Sequence, residues 1–169
     1  MKQPSQFQSR SALIAHVASL SPWARGEASS IIGGRSAAEL RLQHIDPITY
    51  ATTRNFGKGK ISYLSPYINH GLVTLNEVRN HALSLCDDSK EAYRFIQELA
   101  WRDFWQYLAH HHPEWLWNDV EPYKTGWSAS DYQTTLPTDI ANGQTGVACI
   151  DAFIGHLLED GYVHNHARM

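Results

Sequence analysis

Three groups of residues in this 169-residue chain have the types and spacing to do chemistry. The first descends one side of a helical segment. Arg94, Glu98, Trp101 and Trp105 follow at steps of four, three and four, so a carboxylate and two indoles share a face. A surface stripe would leave one indole in solvent by accident, whereas two flanking a Glu favour a cavity that stacks a flat group. The second group precedes Ser65. Arg54, Lys58, Lys60, Ser62 and Ser65 put cations, hydroxyls and a helix start within a dozen residues. Free amides, the helix dipole and ammonium groups there all suit a phosphate, and a solvated basic loop is the competing reading. The segment is not a Walker motif, because Gly57-Lys58-Gly59-Lys60-Ile61-Ser62 lacks the first glycine at the required distance. The third group is His164, Asn165, His166 and Arg168, set between apolar residues after Gly161. Polar side chains packed so densely face a ligand or a buried network.

Other candidates carry less. His110-His111-His112 points three rings in different directions around a helix, so they do not converge on one ion, and no metal is expected. No Ser-His-Asp or Cys-His order stands out as a nucleophile system. Cys86 and Cys149 show no ligand spacing and read as lone thiols of a reducing compartment. No stretch has the length of a membrane span, and the apolar run at 11–20 is too short and too amphipathic for a secretion signal. The expected location is cytoplasmic.

Hydrophobic residues make up 43% and charged ones 18%, a globular balance that excludes disorder. Net charge is −3, unevenly spread. Residues 1–65 hold eight Lys or Arg against three acids, and residues 66–169 hold six against fourteen. The basic half suits an anionic ligand, but the chain lacks the strong positive field of a general nucleic-acid binder.

The elements that must position these residues read as helices throughout. Ser11 caps a helix through Leu13, Ile14, Val17 and Leu20, and Ser36 with Glu39 forms a capping-box pattern. Asp46-Pro47 starts a short turn, and residues 52–62 form a loop. Ser65-Pro66 caps a short helix ended by Gly71, and Thr74 with Glu77 opens another running to about Cys86. Ser89 begins the longest element, Lys90 to about His111, stopped by Pro113. Its core stripe is Ala92, Phe95, Ile96, Leu99, Ala100, Phe104 and Leu108. Residues 113–135 read as a long surface loop, followed by a turn at 137–142 and a helix from Val147 to Asp160 closed by Gly161. Strand alternation is absent, and the expected fold class is all-α, a multi-helix orthogonal bundle.

In order along the chain, four segments carry a family resemblance: Tyr63-Leu64-Ser65-Pro66-Tyr67-Ile68 with Gly71, Glu98-Leu99-Ala100-Trp101-Arg102-Asp103-Phe104-Trp105, Thr145-Gly146 with Ile150-Asp151-Ala152, and Gly161 through Met169. Together they resemble the helical FAD-binding domain of the photolyase/cryptochrome family, most of all its antenna-less bacterial members. The resemblance covers residues 33–169 and leaves residues 1–32 as a helical lead. It implies FAD as cofactor and, where the protein is active, a deoxyribodipyrimidine photolyase-like lyase acting on damaged DNA, or a blue-light photoreceptor. It places Ser62, Leu64 and Ser65 at the FAD phosphates, with Tyr50 upstream. Glu98 and Trp101 would face the DNA lesion, Arg102 would lie near the flavin, and Asn165 and Arg168 beside its ring system. Ile61 and Tyr63 stand where the family commonly has Thr and Arg, so Lys58, Lys60 or Arg54 would supply the missing charge. The family continues well past Arg168-Met169, which implies a C-terminally truncated domain that binds FAD weakly alone. The alternative is a non-catalytic helical module that binds nucleic acid or protein through its aromatic groove.

Overall fold

Proline, capping side chains and left-handed glycines set most helix boundaries in the computed structural model, which describes residues 4, 6–20 and 27–164. The α-helices are α1 (Arg10–Leu20), α2 (Arg35–Gln43), α3 (Pro47–Thr53), α4 (Ser65–Asn69), α5 (Leu75–Ser84), α6 (Tyr93–His111), α7 (Thr138–Asn142) and α8 (Ala148–Asp160). Two single 3-10 turns, Pro113–Leu116 and Ala129–Asp131, interrupt the segment expected to be loop. No strand occurs among the described residues, as the all-α expectation required. The chain divides into two units: residues 33–133, and residues 1–32 with 134–169.

In the first of these, Asp46 caps α3 by accepting the Thr49 N–H at 2.9 Å, with Pro47 at the first helical position. Thr74 and Glu77 form the expected capping box on α5: Thr74 Oγ1 accepts the Glu77 N–H at 3.1 Å, and Glu77 Oε2 accepts the Thr74 N–H at 2.7 Å. Glu77 also receives Arg35 Nη2 at 2.6 Å, while Arg35 Nη1 donates to the Leu72 carbonyl at 2.5 Å and Nε meets Glu39 at 2.8 Å. One guanidinium thus ties the start of α2 to the start of α5. The Arg35 bond, helped by the two from Thr74, lowers the Glu77 carboxyl to about 2. Leu64, Val73 and Val78 are the largest fully covered side chains of the core, with Ala38, Ala82 and Ala92 allowing close helix approach.

Several expected boundaries shift for physical reasons. Arg35 captures Glu39, so the Ser36 box does not form, and α2 starts on Gly34 without a side-chain cap. Leu64 rather than Ser65 is the N-cap of α4, which puts Pro66 second. Asp88 holds a turn by accepting the Lys90 N–H at 2.9 Å, delaying α6 to Tyr93.

In the other unit, Ser9 caps α1 through the Ala12 N–H at 3.1 Å, and α1 buries no side chain. Helix α7 ends on left-handed Gly143 and packs against α8. The Thr145-Gly146 turn before α8 is closed by Asp151, which accepts the Thr145 N–H at 2.8 Å, the Thr145 hydroxyl at 2.6 Å and the Gly146 N–H at 3.2 Å. At the other end Gly161, φ 63°, ends the helix. Asp160 there accepts the Ser30 N–H at 3.1 Å and its hydroxyl at 2.7 Å, fastening residues 29–30 to α8.

Candidate functional site

The loop between α3 and α4 is built backward from a buried anchor. Leu64 is 1% exposed, which fixes the chain as it enters α4. Tyr63 before it takes a left-handed φ of 53°, and is the only non-glycine residue to do so among the described residues. Leu64 itself is right-handed at φ −84°, ψ −15°. A left-handed residue followed by a right-handed one turns successive backbone N–H groups into a concavity that receives anions. The guanidinium of Arg41 lies 5.3 Å from the Tyr63 ring centre, a cation–π contact that offsets part of the backbone strain. Ser62 and Ser65 border this concavity and are half-buried, and the exposed Lys58 and Lys60 precede it. The Leu64 N–H donates to Ser62 Oγ at 3.4 Å, and the two hydroxyls and two ammonium groups of this segment make a donor set that fits a diphosphate.

Helix α6 lies against α3, where Tyr50 packs edge-on to Phe95 with ring centres 5.0 Å apart. The third expected cation is engaged elsewhere. Arg54 Nη1 donates to the Ala51 carbonyl at 2.7 Å, and its Nε sits 3.4 Å from Glu98 Oε1. The pair is half-covered, at 19% and 38% side-chain exposure, so its attraction is only partly screened. Arg54 therefore ties the end of α3 to the carboxylate of α6 instead of adding to the charge of the loop. The pairing was not legible in the sequence, because Arg54 and Glu98 are brought together only by the packing of α3 on α6.

One turn beyond Glu98, Trp101 and Trp105 lie with rings 6.4 Å apart and 26° from parallel. Phe104 meets each edge-on at 5.6 Å. Trp101 is 47% exposed and Trp105 60%. The expected grouping of Glu98 with two indoles on one face is present, while Arg94 pairs with Gln97 through Gln97 Oε1. The expected core stripe is corrected: Ala92 and Phe95 are buried, but Ala100 and Phe104 are exposed. Arg102 is half-buried on the same helix. His110, His111 and His112 engage different neighbours: His111 Nδ1 the Tyr107 carbonyl, and His112 the stacked Trp115 ring at 4.1 Å. In the other unit His164 is buried at 7% exposure, and Asn165 and Arg168 lie outside the described residues.

Sequence reasoning missed three supports of the loop: Thr53, Gly59 and Arg41. Gly59 had a signal, since a glycine between two lysines in a loop implies a close backbone approach. Thr53 and Arg41 had none.

Residues 95–169, from α6 to the chain's last residue, match the family described as the FAD binding domain of DNA photolyase. The chain is 37% identical over 110 residues to a deoxyribodipyrimidine photo-lyase of Alkalihalophilus pseudofirmus, covering 64% of this chain and 22% of that protein. It is 32% identical over 148 residues to the corresponding protein of a Synechococcus species, covering 80% and 30%. Its fold superposes on a bacterial class III photolyase from Agrobacterium tumefaciens with a TM-score of 0.65 and 26% identity, over 86% of this chain and 31% of that one. The chain thus spans under a third of each of these three proteins.

Proposed function

This chain belongs to the photolyase/cryptochrome family through its helical FAD-binding domain, and we propose that it works as a flavoprotein of light-dependent DNA repair, with blue-light photoreception as the sister activity of the same site. FAD is the cofactor of the matched family. When bound, it supplies light absorption and one-electron chemistry, and the protein's part is position and electrostatics.

The observation that carries the reading is the pairing of Arg54, the residue that follows α3, with Glu98 on α6. That pair falls in the same unit as the left-handed turn at Tyr63 and the Trp101–Trp105 face. In this reading Ser62, Ser65 and the Leu64 amide hold the diphosphate, with Tyr50 upstream on α3. Arg102, Asn165 and Arg168 serve the flavin side. Glu98 accepts a hydrogen bond from a flipped base, while Trp101 offers the ring on which that base stacks. Arg54, 3.4 Å from Glu98 Oε1, holds Glu98 in place.

No helix among the described residues is long and apolar enough to cross a membrane. The exposed thiol of Cys149 and the half-buried one of Cys86 support a reducing, cytoplasmic setting.

The test is reconstitution. Protein purified with added FAD should carry a bound flavin spectrum and, under blue light, restore the 260 nm absorbance of a thymine-dimer oligonucleotide. A colourless protein indifferent to added FAD would sink the reading. A bound flavin without repair would leave photoreception as the activity.

A further inference from the structure

We infer that Thr53, with Gly59 pressed against it, is a latch that positions the 59–65 loop for the cofactor diphosphate; this rests on the reading of that loop as the FAD site. Thr53 is the last residue of α3, and its hydroxyl is used twice. It donates to the Thr49 carbonyl at 2.7 Å and accepts the Lys60 N–H at 3.0 Å. The chain reaches Lys60 through Gly59, whose N–H donates to the Phe56 carbonyl at 2.8 Å and whose carbonyl accepts the Ile61 N–H at 3.0 Å.

Steric contact closes the latch from the other side. A Cβ on Gly59 would stand 1.9 Å from the Thr53 carbonyl oxygen and 2.7 Å from its carbon. Both are backbone atoms at a helix end and cannot swing aside, so only glycine lets the loop lie this close. Tyr63 follows Lys60 by three residue steps, a reach of roughly 10 Å, so an error at Lys60 is carried directly into the anion-receiving turn. The other end is fixed by buried Leu64. The segment between is therefore clamped at both ends before any ligand arrives, which lowers the ordering cost of binding.

Position and stability separate cleanly here. The Lys60 N–H is on the exposed side of the loop, so water can replace a lost hydroxyl. Thr53→Val keeps the side-chain shape, removes the acceptor and frees the loop without opening the core. Thr53 touches no proposed ligand atom; it acts through Lys60.

The experiment titrates the full chain and its Thr53→Val, Thr53→Ser and Gly59→Ala variants with FAD, ADP and adenosine, beside far-UV melting curves. Thr53→Val should weaken FAD and ADP alike, by roughly tenfold for a loop displaced by a fraction of an ångström, and leave adenosine unchanged. Thr53→Ser, which keeps the hydroxyl, should bind FAD within about twofold of the wild type, a difference of under half a decade in Kd. Gly59→Ala should lose at least as much as Thr53→Val. The latch is overturned if Thr53→Val binds FAD as the wild type does, if the serine fails to rescue, or if adenosine weakens in parallel. Should the wild type bind neither FAD nor ADP, the cofactor reading falls first and takes the latch with it.

Discussion

Of two helices that pack against each other, ten-residue α5 buries Val78 and Ala82, whereas nineteen-residue α6 buries only Phe95. The shorter helix has a complete capping box and an arginine from α2 on its first turn. The longer one has no side-chain cap, and Trp101, Phe104, Trp105 and Tyr107 all face outward at 44% exposure or more. Burial and capping are what stabilise a helix; exposed rings are what it can offer to something else. Helix α5 therefore serves as scaffold, and α6 presents side chains from that scaffold. The pair from α6 back to the end of α3, Arg54–Glu98, lies at the boundary between its anchored first turns and its exposed last ones.

The largest test of this contrast is to place one charge on each helix. Val78→Asp puts a carboxylate where the wild-type side chain is 0% exposed, at a cost of several kcal/mol, a large share of a typical domain's stability. We expect loss of the far-UV helical signal. Trp105→Asp, on the exposed face of α6, should leave that signal in place. Equal responses from the two variants would erase the distinction between scaffold and presenting helix.

A smaller effect sharpens the scaffold half of the comparison. Thr74→Ala removes the cap of α5 and should cost about 1 kcal/mol in denaturant unfolding. Acid offers a second handle on the same helix end. Glu77 sits at about 2, far below its ordinary 4.5, chiefly because Arg35 bonds it. A depressed carboxyl gives stability that is present above its ordinary value and is lost as pH falls from about 4.5 toward about 2. Arg35→Met should flatten that part of the stability–pH curve. It should not level it, since hydrogen bonds from Thr49, Thr145 and Ser30 also lower Asp46, Asp151 and Asp160. An unchanged acid limb in Arg35→Met would mean that the bridge to α2 does not stabilise α5.

How far each helix was legible in the sequence follows the same division. The cap of α5 could be read because Thr74 and Glu77 satisfy each other locally, three residues apart. The similar Ser36–Glu39 pattern misled because Arg35, one turn earlier on the same helix, binds Glu39 more strongly than a backbone N–H does. On α6 the 3.6 period marked Ala100 and Phe104 as core, yet periodicity says only that residues share a face. It does not say whether a neighbour covers that face, and here both are exposed. The loop before α4 was legible in composition but not in shape. Cations and hydroxyls could be counted from the residue types, whereas the left-handed turn falls on Tyr63, a residue whose type gives no hint of it. Arg54 was read as one more loop cation, and only the packing of α3 on α6 turned it toward Glu98.

The smallest expected effect bears on the presenting half. Trp105 is 60% exposed and touches Trp101 and Phe104 rather than the core, so Trp105→Ala should change stability by no more than about 0.5 kcal/mol. Its consequence should appear instead in its neighbour. Without the stacked partner, the Trp101 ring gains solvent and a rotamer choice, shifting its fluorescence to the red and weakening the near-UV dichroism of the pair. If base stacking on Trp101 depends on that ring being held, the variant should bind a thymine-dimer oligonucleotide several-fold more weakly, within the roughly 1–3 kcal/mol that one stacked base contributes. Trp101→Ala should lose more of the same binding, because it removes the platform itself. A stability loss above about 2 kcal/mol for Trp105→Ala would belong to a core residue, and α6 would then have to be counted with α5 as scaffold.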